Sequence, residues 1–277
     1  SEYPVGLQAA NSPNFQDSLF TLQKEYAKCG DKELGDLLVD LLIDRSKQKN
    51  RDILQIVLNE SLLTAPKLTQ NQIAILSIVF LLRYTVRYGI GNHQKLGEYL
   101  DKHIQPLLNF LVKNDASYQH LEYTGCGTIE IGEISLSQVF GTTYQGLFLK
   151  GFEQKDVDLT KLQIGITPDF FMHCLNDNSK LQIRTTSSET LEKQFLNKNI
   201  PDTIRNYIRQ LFNLNKMDET EIKDKIIQIR PYMKDLYDVW ENSPIKNLQL
   251  TSVGIAIGHA NIKKNIGEFS NLSIWIN

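Results

Sequence analysis

The chain has 277 residues, 41% of them hydrophobic and 22% charged, with 8 prolines and 16 glycines; this excludes a disordered or fibrous polymer and leaves room for one large domain or two ordinary ones. With 30 Lys and Arg against 32 Asp and Glu the net charge is -2, so no global field draws the chain to nucleic acid or to an anionic membrane. Cys29, Cys126 and Cys174 are odd in number, far apart and outside any C-x-x-C pairing, which argues against a disulfide framework or a structural zinc site and fits a reducing compartment.

Residues 1–11 lack the basic start and apolar run of a signal peptide. The longest apolar stretch, Ile73 to Leu82, is closed by Arg83, well short of the roughly 20 residues a membrane-spanning helix needs. A cytoplasmic protein without membrane insertion is therefore expected. Ser1 is not an initiator residue, so the chain is expected to be processed, renumbered or cut from something longer.

Ser12-Pro13 reads as an N-cap and first helical position, followed by an inward stripe of Phe15, Leu19, Leu22 and Tyr26 and a stop at Gly30. Asp31 caps a second helix with Leu34, Leu37, Leu38, Leu41 and Leu42 on a wide apolar face, and the two should pack as a hairpin. A third helix runs from about Asp52 to Ala65 and ends at Pro66. Thr69 with Gln72 forms a capping box, stapled by Leu68 and Ile73, and predicts a buried central helix over 70–87. An amphipathic segment over 93–112 carries Pro106, which should kink or divide it.

Around Thr124 the texture turns Gly-rich and β-branched, predicting a turn with a short extended piece and a soft domain boundary. Ser135 and Gln138 make a second capping box, and Lys180 to Thr186 alternates as a strand should. Helices are predicted over 187–196, from Pro201 to Leu214, and from the Asp218/Glu221 capping box up to an interruption at Pro231. The end reads strand (247–250), helix (251–266, capped by Thr251), strand (271–276). The expected fold is mainly α, with a helical domain over 1–124. A mixed half over 125–277 follows, with a small sheet that a winged-helix-like arrangement would satisfy; the two halves can share one core.

The sharpest chemical candidate is Cys126 between Gly125 and Gly127, with His120 six residues earlier, because a thiolate needs a base or a positive field and room for substrate. The plainer reading is a tight turn whose small residues allow close packing. Glycines 125, 127 and 132 are not a phosphate loop, since no Gly-Lys-Ser/Thr follows. His173-Cys174 reads as a buried structural pair. Asp36, Asp40 and Asp44 stack along one helix face, which costs about 0.2–0.5 kcal/mol per like-charge pair and suggests either a cation or basic partner or a lysine-balanced surface. Lys263 and Lys264 on the last helix are the candidate nucleic-acid contacts, following the Leu-Thr-x-x-Gly block at Leu250 to Gly254 that looks like a winged-helix strand-to-helix junction. No cofactor motif is present.

Two stretches, Gln23 to Ala27 with Gly30 to Arg45 and Leu250 to Ile262 with Leu272 to Ile276, together with Tyr118 to Ile129, resemble a bacterial protein family without an assigned function, over nearly the whole chain. The resemblance implies an additional polar, helical segment before Ser1, and it carries over no catalytic residues. A fainter similarity of the Leu-Thr-x-x-Gly block points toward abortive-infection proteins of the Abi-alpha type and implies a phage-defence role. The function expected is non-catalytic: a bacterial interaction or regulatory module with a protein partner or self-association. A Cys126 enzyme and a nucleic-acid sensor or defence component are the rivals.

Overall fold

The computed structural model describes residues 13–48, 50–162, 164–267 and 269–276. Ser12, the expected cap of the first helix, and the side chain of Cys29 lie outside the described residues. Helix α1 (Pro13–Cys29) ends at Gly30, whose φ of 61° lets its N–H reach the Tyr26 carbonyl at 2.8 Å. Helix α2 (Lys32–Ser46) starts at Asp31, whose carboxylate accepts from the backbone N–H groups of Glu33 and Leu34. Helix α3 (Ile53–Thr64) starts at Asp52 and passes into a 3-10 turn at Ala65–Lys67 that contains Pro66. Helix α4 (Gln70–Val79) opens on the expected capping box of Thr69 and Gln72 and continues as a π-turn, Phe80–Tyr84.

Helix α4 with its π-turn stops short of the expected Arg87: Thr85 is extended, and the Tyr84 carbonyl accepts instead from the Trp275 indole at 2.7 Å. Helices α5 (His93–His103) and α6 (Gln105–Leu108) divide just ahead of Pro106, as the sequence predicts. Then come α7 (Asp115–Tyr123), β1 (Gly127–Ile129) and α8 (Leu136–Thr143), the last begun by the Ser135/Gln138 capping box. Next are α9 (Leu159–Leu162), β2 (Phe171–His173), β3 (Leu181–Ile183), α10 (Ser188–Asn197) and α11 (Asp202–Asn213). Helices α12 (Glu219–Ile229) and α13 (Met233–Glu241) flank Pro231, and β4 (Leu248–Leu250) leads into α14 (Ser252–Ile266).

The chain is mainly helical, and among the described residues two small antiparallel sheets, β1–β4 and β2–β3, stand in place of the single small sheet expected. The extended piece at Gly127 is the partner of β4, with Gly127 opposite Leu250, and Phe171 lies opposite Ile183 in the other pair. Residues 271–276 do not form the expected strand: Asn271 folds its side chain onto the Ser273 N–H and caps a 3-10 turn, Leu272–Ile274, a local bond that outcompetes pairing. The winged-helix-like reading therefore loses its last strand. His173 also departs from expectation. It is exposed on β2 while Cys174 is buried, because successive residues of an extended segment face opposite ways.

Two compact units interleave along the chain. One comprises Ser1–Thr85, Lys102–Glu133 and Asp238–Asn277, the other Val86–Asp101 and Ile134–Tyr237, so the expected boundary at 124/125 falls inside the first unit. In the first, α14 packs along α2, α3 and α4. Its buried face runs from Gly254 to Ile262, and Asn261 donates to the Ser77 hydroxyl at 2.8 Å. The second has its own core of Leu149, Phe152, Phe170, Phe171, Ile183, Phe195, Ile208 and Phe212, built from β2, β3, α10, α11 and the segments before them.

Candidate functional site

All seven candidate residues chosen from the sequence lie in the first unit, and the structure sorts them into three places. Cys126 follows the end of α7, where Gly125, at φ 72°, turns the chain toward β1. Its N–H bonds to the Leu121 carbonyl at 2.9 Å and its carbonyl accepts from the Thr251 N–H at 3.1 Å, so the residue ties α7 to the start of α14. Thr251 adds a hydroxyl bond to the Gly125 carbonyl at 2.6 Å. A Cβ on Gly254 would stand 1.9 Å from the Cys126 carbonyl oxygen, so the Leu-Thr-x-x-Gly block is a close-packing device here. The thiol is fully buried, and burial raises its pKa against a weak hydrogen bond from the Thr124 hydroxyl at 3.6 Å.

His120, the expected base, points its Nδ1 at the Gln72 side-chain amide, 3.0 Å away, and its ring stacks with Tyr123. The amide donates, which leaves the ring proton on Nε2. The partners of this pair are thus Thr124 for the thiol and Gln72 for the imidazole, and each side chain is engaged in local structure.

The aspartates of α2 and the lysines of α14 come together with each other. Lys263 Nζ lies 3.0 Å from Asp44 and 3.7 Å from Asp40, and Lys47 reaches Asp44 at 2.7 Å. Lys264 pairs with Glu33. Burial pushes the carboxyl of Asp40 up despite the pull of Lys263; at Asp44 the opposing bonds and charges of Lys47 and Lys263 outweigh burial and hold the carboxyl low. Asp36 is exposed. The like-charge cost along α2 is therefore offset by α14, and among the described residues no group of three or more His, Cys, Asp or Glu side chains converges as metal ligands would.

What the sequence reading missed is the outward face of α1–α3. Phe20 is 65% exposed, Val39 46%, Ile53 49% and Leu63 48%, with Ile43 and Ile56 close behind. Val39 and Ile43 are four apart on α2, and Ile56 and Leu63 seven apart on α3, so each pair shares one helical face. Ile56 and Leu63 also border a groove of about 390 Å³ whose other walls are mainly polar, with Asp17, Arg51, Asn59 and Glu60 among them, so the apolar surface lies beside this groove rather than in it. On α2 the signal was available, since Val39 and Ile43 fall off the stripe of Leu34, Leu37, Leu38, Leu41 and Leu42; on α1 the expected inward stripe is not fully buried, with Leu19 36% and Tyr26 42% exposed.

Among the described residues no helix is long and apolar enough to cross a membrane. No curated protein and no solved structure matches the chain, and similarity to abortive-infection proteins of the Abi-alpha type is not found. One family model does match, across residues 1–276, and the chain belongs to that family of uncharacterised proteins.

Proposed function

We propose that the chain is a non-catalytic cytoplasmic interaction module whose α1–α3 layer binds protein, in the first instance a second copy of itself, through its outward apolar face. The observation that carries this is the solvent exposure of Phe20, Val39, Ile43, Ile53, Ile56 and Leu63 on three consecutive helices. Exposed apolar area of this kind costs free energy in water and is recovered when a partner covers it. Fully burying such a side chain is worth about 1.5–3 kcal/mol, and these are already half covered, so the six from each of two copies together supply roughly 9–18 kcal/mol gross. Association itself costs about 4–15 kcal/mol, which makes a weak, reversible contact the expected outcome.

The rival readings draw less support. A catalytic thiol needs a lowered pKa and access, whereas Cys126 is buried and shifted upward. A phosphate contact needs a free cation, whereas Lys263 and Lys264 are engaged with Asp40, Asp44 and Glu33. The cytoplasmic assignment rests on the free thiols of Cys126 and Cys174.

Sedimentation velocity tests the reading. A dimer is half-populated near 100 μM when association is worth about -5.5 kcal/mol, so a concentration-dependent rise in mass up to that range is expected, and Ile56→Asp should abolish it. A wild-type chain that stays monomeric throughout, or an Ile56→Asp variant that associates as well as wild type, would sink it.

A further inference from the structure

His259 lies in the middle of α14 and is 2% exposed. Its Nε2 is 2.7 Å from the Ser270 carbonyl oxygen. A carbonyl only accepts, so Nε2 carries the ring proton, and Nδ1 is a bare lone pair that is buried without a hydrogen-bond partner. Three aromatic rings close around the imidazole: Phe80 at 5.9 Å, Phe269 at 5.5 Å and Trp275 at 5.8 Å between centroids. Phe269 and Trp275 stack on each other, and the Trp275 indole is anchored to the Tyr84 carbonyl. The segment 269–276 is therefore fastened to α14 and to the π-turn after α4 around one neutral imidazole.

We propose that His259 is a pH-sensitive latch: neutral, it holds segment 269–276 against α14, and uptake of a solvent proton at Nδ1 releases that segment. The charged form would place a second N–H and a full positive charge at a buried Nδ1 that has no hydrogen-bond partner. The charged groups facing the ring are Asp40 and Asp44 from α2 and Lys263 from its own helix, while Lys47 lines the adjoining cavity of about 170 Å³. Lys263 bridges both carboxylates, which blunts their attraction for an imidazolium.

Burial is the largest influence on the imidazole and holds it below its ordinary value of 6.5. A base with a depressed folded-state value contributes stability that is complete above pH 6.5 and is lost as pH falls through the folded value. Asp40 has the opposite sign, since its raised carboxyl favours the fold on acidification; His93, which burial also holds low, has the same sign as His259 but belongs to the other unit, so loosening at Trp275 is what reports the His259 imidazole.

The experiment is tryptophan fluorescence of the full chain between pH 8 and pH 5, with far-UV circular dichroism at each point. The chain has two tryptophans, Trp275 in the latch and Trp240, which is fully buried in α13. Wild type should show an emission shift with its midpoint below pH 6.5 at constant helix content. His259→Gln keeps a donor for Ser270 without titrating, and Trp275→Phe leaves only Trp240; both should lose the shift. A shift that persists in either variant overturns the proposal. A measurement on wild type alone holds even if a variant does not fold. Carboxypeptidase trimming past Trp275, normalised to a free peptide of residues 271–277, should run several-fold faster at pH 5.5 than at pH 7.5. Equal normalised rates overturn the latch.

Discussion

Gly254 and Cys126 meet where the last helix of the chain begins, and a single methyl group probes that contact. Alanine at Gly254 would put Cβ 1.9 Å from a backbone oxygen, which has no side-chain freedom with which to retreat. Gly254→Ala should lower stability by about 1–3 kcal/mol or more, seen as a lower urea midpoint with an unchanged slope. The Cys126 thiol should react with iodoacetamide at neutral pH more slowly than a free thiol, because burial excludes the reagent and raises the pKa; faster labelling would revive the cysteine-enzyme reading. The sequence put a turn with a short extended piece around Gly125-Cys126-Gly127, and in the structure Gly125 and Cys126 make the turn while Gly127 begins β1. It did not reveal the fate of the charged candidates, because Lys263 meets Asp44 across 219 positions of chain. Charge pairing at that range leaves no local pattern to read.

At the scale of the element, the legible features are those whose physics is confined to four or five residues. The capping boxes at Thr69/Gln72, Ser135/Gln138 and Asp218/Glu221 all form with both reciprocal bonds. Each needs only its own helix turn, which is why sequence sufficed. Thr69→Ala removes a donor's partner at the head of the most buried helix and should cost about 1 kcal/mol in thermal or chemical unfolding. The expectations that differ depend on distant partners. Residues 171–173 become a strand only because 181–183 lies beside them, and α4 gives way at Tyr84 where Trp275 claims its carbonyl. Residues 271–276 show the converse, since Asn271 imposes a local turn on an alternating pattern that suits a strand.

At the scale of the whole molecule, a helical chain with minor β content was legible from composition and periodicity, while its division was not. A texture change near Thr124 reads as a border, yet it marks only a turn within the first unit, whose core needs α14 from the far end of the sequence. A fragment of residues 1–124 should therefore lack near-ultraviolet circular dichroism and bind a hydrophobic dye, since α2, α3 and α4 would lose the helix that covers them. A fragment with a sharp, cooperative melt would contradict this arrangement.

The interleaving of the two units also orders events during synthesis. Residues 134–237 and the short stretch 86–101 will have left the ribosome while the other unit still waits for 238–277. The later-made piece closes the earlier-started one, so leucine-rich α2, α3 and α4 spend most of translation as an open sandwich. Nascent chains stalled before α14 are then the form most exposed to aggregation and to chaperone capture.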